Sequence, residues 1–581
     1  MSIFKRRRPE PAFYPGEDIQ KPGALRLEGV KKRAIDVGRN RLIVTAGLFL
    51  LAFVVVGLRL VDLTVLSGAG EGASRPRAQR ATDAVVRRAD ITDRNGVLLA
   101  TSLPTVSLYA KPNEIIDADE AAAKLAKVMR DSNQAELRTR LSGDRGFVYL
   151  RRHLTPRQQQ EVNDLGIPGL YFEDSERRVY PQGSLVSHVV GLTDWDNKGI
   201  AGIEKTFDGQ LSGEHQPVRL SVDLRVQDIL RNELTVAIAQ FRAIGGVGMV
   251  FDVNTGEIIA MVSLPDFDPN APATTTSEAM FNRATLGVYE MGSTFKLFNT
   301  AIALDSGKAS MTSMYDASAP IHISRFTITD YHNMHRALSV PEILIHSSNI
   351  GSARMAVDFG GETQKQYMGR FGMLRPTAVE LPEVGAPLVP SPWREINTMT
   401  IAYGHGIAVT PLQVVTGMAA LINGGSYIRP TLIKRQAGVE LPSAQVLKPQ
   451  TSENMRRLMR MVVTQGTGSK AEVAGYEIGG KTGTAEKLGT SGGYRKKSLL
   501  SSFVGAFPMS SPRYAVVAWI DEPQGTRETY GYATGGWTAA PVVGRVVAQI
   551  APMLGLRPAA ADGRIQDAVM VREDVDIGET E

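Results

Sequence analysis

The chain has 581 residues, 43% of them hydrophobic and 22% charged, which suits two or three globular domains and rules out wholesale disorder. It contains no cysteine, so disulfides, thiolate catalysis and cysteine-ligated metals are excluded. The formal net charge of +5 is local: positions 1–41 hold eleven Lys/Arg against five acids, and the remainder is nearly neutral.

That basic tail alone could touch nucleic acid, but the apolar run after it points to a membrane. Leu42 to Leu58 runs seventeen residues without a charge and extends past Arg59 to Val61 if the arginine snorkels. At 1.5 Å per residue such a helix spans roughly 26–30 Å, about a bilayer core. The expectation is a cytoplasmic tail (1–41), a transmembrane helix (42–61) and a bulk that crosses the membrane. A cleaved signal peptide is the competing reading, disfavoured by the 41-residue leader. The small, polar and basic stretch at 62–80 then reads as a tether.

Ordered sequence is expected from about residue 81. Asn95-Gly96 is a hairpin signal between strand-like runs in "RRADITDRNGVLLATS" (87–102). Helical patterns follow at 119–131 and 155–165, then a glycine-punctuated region at 177–213. A second unit is expected at 223–556. It opens with a helix over 223–241, apolar at Val226, Ile229, Leu230, Leu234 and Ile238. Two strands joined at Asn254-Thr255-Gly256 come next (246–263). Strands at 499–508 and 513–523 and a helix at 538–554 close the unit. Strands at both ends around a helix-rich middle predict an antiparallel sheet whose halves meet in space. Residues 557–581 read as a polar, disordered tail.

Three short motifs lie inside the second unit. In "VYEMGSTFKLF", Ser293 precedes Lys296 by one helical turn, so both share a face at a helix start behind Gly292, and Gly307 ends the helix. A buried lysine near other cations loses its proton easily and can then take that of a neighbouring hydroxyl. The spacing alone is weak, since Ser2 and Lys5 repeat it in the tail. "HSSNIGS" adds Ser347 and Asn349, and "GGKTGTAEK" adds Lys481, Thr482 and Gly483, followed by Thr484. The histidines form no HExxH, and the pair in "YHNMH" (331–335) reads as structural.

Ser-x-x-Lys, Ser-x-Asn and Lys-Thr-Gly in this order resemble the penicillin-binding proteins and serine β-lactamases. The resemblance covers most of residues 80 to 555. "RADITDRNG" and the 177–213 stretch look like the pedestal (dimerisation) domain of the class B enzymes, which would occupy 81–222. "GHGIAVTPLQ" (404–413) resembles the segment that closes the catalytic helical subdomain in that class, and "AVVAWIDEPQ…YGYATGGWTAAPVV" (515–543) looks like the septal, division-specific FtsI type. Met291 stands where this family often has proline, and Ala89 where glycine is usual.

The resemblance implies an α+β multidomain fold: one N-terminal transmembrane helix, an elongated pedestal, and a transpeptidase domain of antiparallel sheet, flanking helices and helical subdomain. It implies a serine-type D,D-transpeptidase with Ser293, Lys296, Ser347 and Lys481 as catalytic residues and Asn349, Thr482, Gly483 and Thr484 binding substrate. Lys481, Thr482 and Thr484 would meet the terminal carboxylate. It also implies peptidoglycan stem peptides as donor and acceptor, β-lactams as inhibitors, and division proteins including a septal glycosyltransferase as partners. Neither cofactor, metal nor nucleic acid is implied. The expected location is the bacterial inner membrane at the division site, catalytic domain periplasmic. The alternatives are an elongation-specific transpeptidase, and behind it a D,D-carboxypeptidase, β-lactamase or β-lactam sensor.

Overall fold

The computed structural model describes residues 46–58 and 87–559, apart from 144, 324–325, 437 and 489–492. Residues 46–58 form a helix with every residue exposed, within a separate unit spanning Met1–Ala84. Among the described residues no helix is long and apolar enough to cross a membrane. This overturns the expected single-pass membrane span in the fold class, and the inner-membrane placement built on it. The tail, the tether, the two ends of the proposed span and residues 560–581 lie outside the described residues.

The other unit begins at Val85. Its first sheet comprises β1 (Ile91–Thr92), β2 (Leu98–Ala110), β3 (Val148–Leu154), β4 (Leu170–Val179) and β5 (Val218–Arg219). The long β2 pairs antiparallel with β1, β3 and β4, and β5 lies parallel to β1. The expected hairpin forms because the Asp93 carboxylate accepts from the backbone of Asn95 (2.7 Å) and Val97 (2.8 Å) while Gly96 takes φ +90°. Two buried arginines hold this region to the glycine-punctuated stretch. Arg88 and Arg178 grip opposite oxygens of Glu204 at 2.7 and 2.6 Å, and Arg88 also reaches Asp208 at 2.7 Å.

The remaining elements build a second sheet. Helix α1 (Leu224–Gln240) is capped by Asp223 and buries Val226, Leu230, Leu234 and Ala237. Strands β6 (Gly245–Asp252) and β7 (Ile258–Leu264) follow. Then come α2 (Phe295–Asp305), α3 (Asn349–Phe359), α4 (Pro411–Ile422) and α5 (Pro449–Gln465), and finally β8 (Gly479–Leu488), β9 (Tyr494–Phe507), β10 (Tyr514–Asp521) and α6 (Ala539–Met553). The order is β8-β9-β10-β6-β7, antiparallel throughout. The halves of the chain therefore meet where β10 pairs β6. Every residue of β6, β7 and β10 is buried, which is why these strands read as unbroken apolar runs rather than alternating ones. One face packs on α1 and α6 through Leu230, Leu234, Val543 and Val547. The other packs on the helical region through Phe251, Phe298 and Trp519. Strand β8 is left at the edge, so half of its backbone groups are unpaired by the sheet and available to a ligand.

Candidate active site

Ser293 sits in a 3-10 turn, Gly292–Thr294, which feeds α2. The turn is pinned between two backbones. Gly292, at φ +56°, donates its N–H to the Gly404 carbonyl at 3.2 Å, and a Cβ there would fall 2.7 Å from the Thr484 carbonyl oxygen. Only glycine fits that approach. The reactive-looking serine is thus registered directly against β8.

One helical turn on, Lys296 is fully buried. Its Nζ meets four oxygens: Ser293 Oγ at 3.0 Å, Ser347 O at 2.5 Å, Ser347 Oγ at 3.0 Å and Asn349 Oδ1 at 2.7 Å. Burial, then the neighbouring Lys481, pushes its pKa well below the usual lysine value. The neutral amine has two protons, and the Ser347 carbonyl and the Asn349 amide oxygen can only accept. They take both, leaving the lone pair toward the serine hydroxyls. A base is thereby aimed at Ser293.

Lys481, on β8, is also fully buried, and burial lowers it to about 7. Its Nζ lies 3.0 Å from Ser347 Oγ and 3.2 Å from the Thr482 carbonyl. One hydroxyl therefore links the two amines. Ser347 holds this bridging position at φ +58°, a left-handed conformation that is costly for a serine. Beside it, Thr482 shares a 2.7 Å hydroxyl–hydroxyl hydrogen bond with Thr467, and Thr484 Oγ1 accepts from Gly535 N at 3.1 Å. At Gly483 a Cβ would fall 2.4 Å from Ser502 Oγ and 2.9 Å from the Met291 carbonyl, so the strand passes too close for a side chain.

The structure thus brings the three motifs together, with Ser293, Ser347, Asn349, Thr482, Gly483 and Thr484 lining a cleft of about 540 Å3. Lys296 and Lys481 stand behind its wall. Tyr331 and His332 also line the cleft, His332 being one of the histidine pair read from sequence as structural. The sequence reading missed Asp330. Its carboxylate accepts from Ser348 Oγ (2.6 Å), Asn349 N (2.5 Å) and Ile350 N (2.9 Å), fastening the start of α3 and the Ser-x-Asn motif with it. It also missed Glu290, which accepts from Gly406 N at 2.8 Å and lies 3.0 Å from His405 Nδ1.

Residues 246–548 match the penicillin binding protein transpeptidase domain, and residues 83–236 the penicillin-binding protein dimerisation domain. The chain belongs to the penicillin-binding protein family. It is 40% identical over 538 residues, 90% of each chain, to a probable peptidoglycan D,D-transpeptidase FtsI of Caulobacter vibrioides. Against the peptidoglycan D,D-transpeptidase FtsI of Escherichia coli it is 31% identical over 520 residues, covering 83% of this chain and 86% of the other. A crystal structure of penicillin binding protein 3 from Mycobacterium tuberculosis, complexed with aztreonam, shares the fold (TM-score 0.65, 22% identity, 82% of this chain and 97% of that one). As a penicillin-binding protein, this chain is an enzyme of the serine-type D,D-transpeptidase class, which cross-links peptidoglycan.

Proposed function

We propose that the chain is the septal, FtsI-type transpeptidase of its cell, with Ser293 as nucleophile. The observation that carries the septal reading is the 40% identity to a protein named FtsI over 90% of both chains. Ser293 Oγ attacks the carbonyl between the two terminal D-alanines of a donor stem peptide while its proton passes to the neutral Lys296. The developing oxyanion is met by the backbone N–H groups of Ser293 and of Thr484 on the edge strand, each worth roughly 3 kcal/mol of barrier. Collapse breaks the peptide bond, and Ser347, between Lys296 and Lys481, delivers a proton to the departing D-alanine nitrogen. Asn349 holds Lys296 and the donor, and Thr482 and Thr484 offer hydroxyls to its carboxylate beside the unobstructed backbone of Gly483. An amine on a neighbouring stem peptide then attacks the ester, a new amide forms, and Ser293 regains its proton. A β-lactam enters the same path and stays as the Ser293 ester. Division proteins, including a septal glycosyltransferase, are the partners this role requires.

Fluorescent penicillin tests the nucleophile: wild-type protein labels and Ser293→Ala does not, and equal labelling would overturn the assignment. Depletion in the cell tests the role. Filaments are expected; rounded cells would assign the chain to elongation instead.

A further inference from the structure

The face of the N-terminal sheet that turns away from its core carries a row of aromatic rings for which the cleft chemistry has no use. Residues opposite one another in register set Tyr109 of β2 between Tyr149 of β3 and Tyr171 of β4. Their neighbours Leu108, Ala110 and Leu150 turn the other way, into a core shared with the helices Ala118–Val128 and Gln134–Leu141. Because β2 pairs on both sides, the tyrosines offer a flat face and not a free strand edge.

The row is continuous. The Tyr109 ring lies 5.5 Å from that of Tyr171 and 4.7 Å from that of Phe147, which in turn lies 4.8 Å from Tyr149. The Arg152 guanidinium covers the Tyr149 ring at 4.5 Å and donates to the Trp195 carbonyl at 3.2 Å. Trp195 stacks on His153 at 6.2 Å and 19°. It stands at the tip of a turn that the Asp194 carboxylate ties by accepting from Asp196 N and Lys198 N, both at 2.9 Å. A braced turn thus presents an indole that is 71% exposed, and Phe147 and Tyr171 are exposed as well. Aromatic surface left in water along one strip marks a binding surface.

The charges beside the strip narrow what it binds. Lys111 pairs with Glu114 and Arg152 with Asp196, while Tyr171 and Tyr149 donate their hydroxyls to Glu114 and Glu173. Charges so largely matched present little net field, which suits an uncharged partner better than an acidic or basic peptide. What is left to a ligand is a row of flat rings, whose negative faces attract the slightly positive C–H face of a pyranose. Carboxylates at the edge accept from hydroxyl and amide N–H groups, the donors that an N-acetylated sugar carries. The stem peptides of peptidoglycan hang from a strand of such sugars.

We propose that the strip from Tyr171 to Trp195 is a binding site for the glycan strand of peptidoglycan, a β-1,4-linked N-acetylhexosamine polymer, separate from the cleft that takes the stem peptide. The strip holds the polymer, and the cleft works on the peptides that the polymer carries.

Isothermal titration calorimetry with penta-N-acetylchitopentaose tests the site on the full chain, its cleft first blocked with benzylpenicillin. Saturable binding is expected. Trp195→Leu and Tyr171→Leu keep apolar surface but remove the ring, and each should raise the dissociation constant about 10-fold, the range of a lost aromatic contact. Trp195→Phe should restore most of the affinity. Both leucine variants should label with fluorescent penicillin at the wild-type rate, which separates loss of the strip from misfolding. A wild-type titration without saturable heat, or an affinity that neither leucine substitution changes, would overturn the assignment. So would a division protein that loses its hold on both leucine variants while the sugar binds none of the proteins, since the strip would then belong to a protein partner.

Discussion

The molecule buries charge in two places and treats it in opposite ways. In the N-terminal region Arg88 and Arg178 close on the two oxygens of Glu204, with Asp208 beside them, so cations and carboxylates are matched within hydrogen-bond distance. At the cleft, Lys296 and Lys481 are just as buried, yet their hydrogen bonds go to hydroxyls, carbonyls and an amide. A matched cluster retains its charge and fixes how segments far apart in sequence meet, while amines with no carboxylate facing them give up their protons more readily and can serve as bases. Burial of a cation is therefore structural or chemical according to what faces it.

The comparison breaks most visibly at Lys296. Lys296→Met removes the base aimed at Ser293, and the acylation rate by fluorescent penicillin is expected to fall on the order of 10²- to 10⁴-fold. A variant within tenfold of wild type would show that the lone pair is not what activates the serine. The opposite effect is expected at the other cluster. Glu204→Gln leaves two buried guanidiniums without their shared carboxylate and should cost about 3–5 kcal/mol in denaturant unfolding. Folded Glu204→Gln protein should still acylate at nearly the wild-type rate. A loss of stability below about 1 kcal/mol would mean that the cluster is held by its surroundings rather than by its charges.

How much of this could be read from the chain alone depends on the range of the interaction. Ser293 and Lys296 were legible because three residues of helix bring them together, and the β6–β7 hairpin because Gly256 takes φ +74° at its turn. The sheet's closure was legible only as an expectation, since β10 pairs β6 across more than 250 residues with no local signal beyond apolar runs. Asp330 was not legible at all, because it acts on α3, which the fold brings near, and belongs to no short motif. The proposed membrane span was not met, because hydropathy reports apolar length along the chain, whereas no described helix is long and apolar enough to cross a membrane.

Asp330 sharpens the comparison, because it is the nearest thing to a counter-charge at the cleft. It raises the pKa of Lys296 through space, against burial and Lys481, while its oxygens are spent on Ser348, Asn349 and Ile350. Asp330→Asn keeps the shape but weakens those charge-assisted bonds, at an expected cost of about 1.5–3 kcal/mol. It also removes the charge that favours the ammonium, so the acid limb of the acylation rate should move to lower pH. A loss of stability with an unmoved pH profile would confine Asp330 to capping α3.

The most gradual effect, spread over several pH units, concerns Lys481 and the pH dependence of stability. Its folded pKa, about 7, lies below the unfolded value near 10.4. Between these limits the unfolded chain holds a proton that the folded chain does not, so stability rises with pH across the window. Below pH 7 both states are protonated and the full burial penalty applies; above about 10.4 neither is, and it vanishes. The slope from one such group is at most about 1.4 kcal/mol per pH unit. Subtracting the unfolding free energy of Lys481→Met from that of wild type between pH 7 and 9 carries this term, and a difference that increases with pH is expected. A flat difference would mean that Lys481 keeps its proton in the folded state. The buried pair would then resemble the arginine cluster, and its lack of a carboxylate would need another explanation. The same variant removes the charge that helps to depress Lys296, so its residual acylation should need a higher pH than wild type.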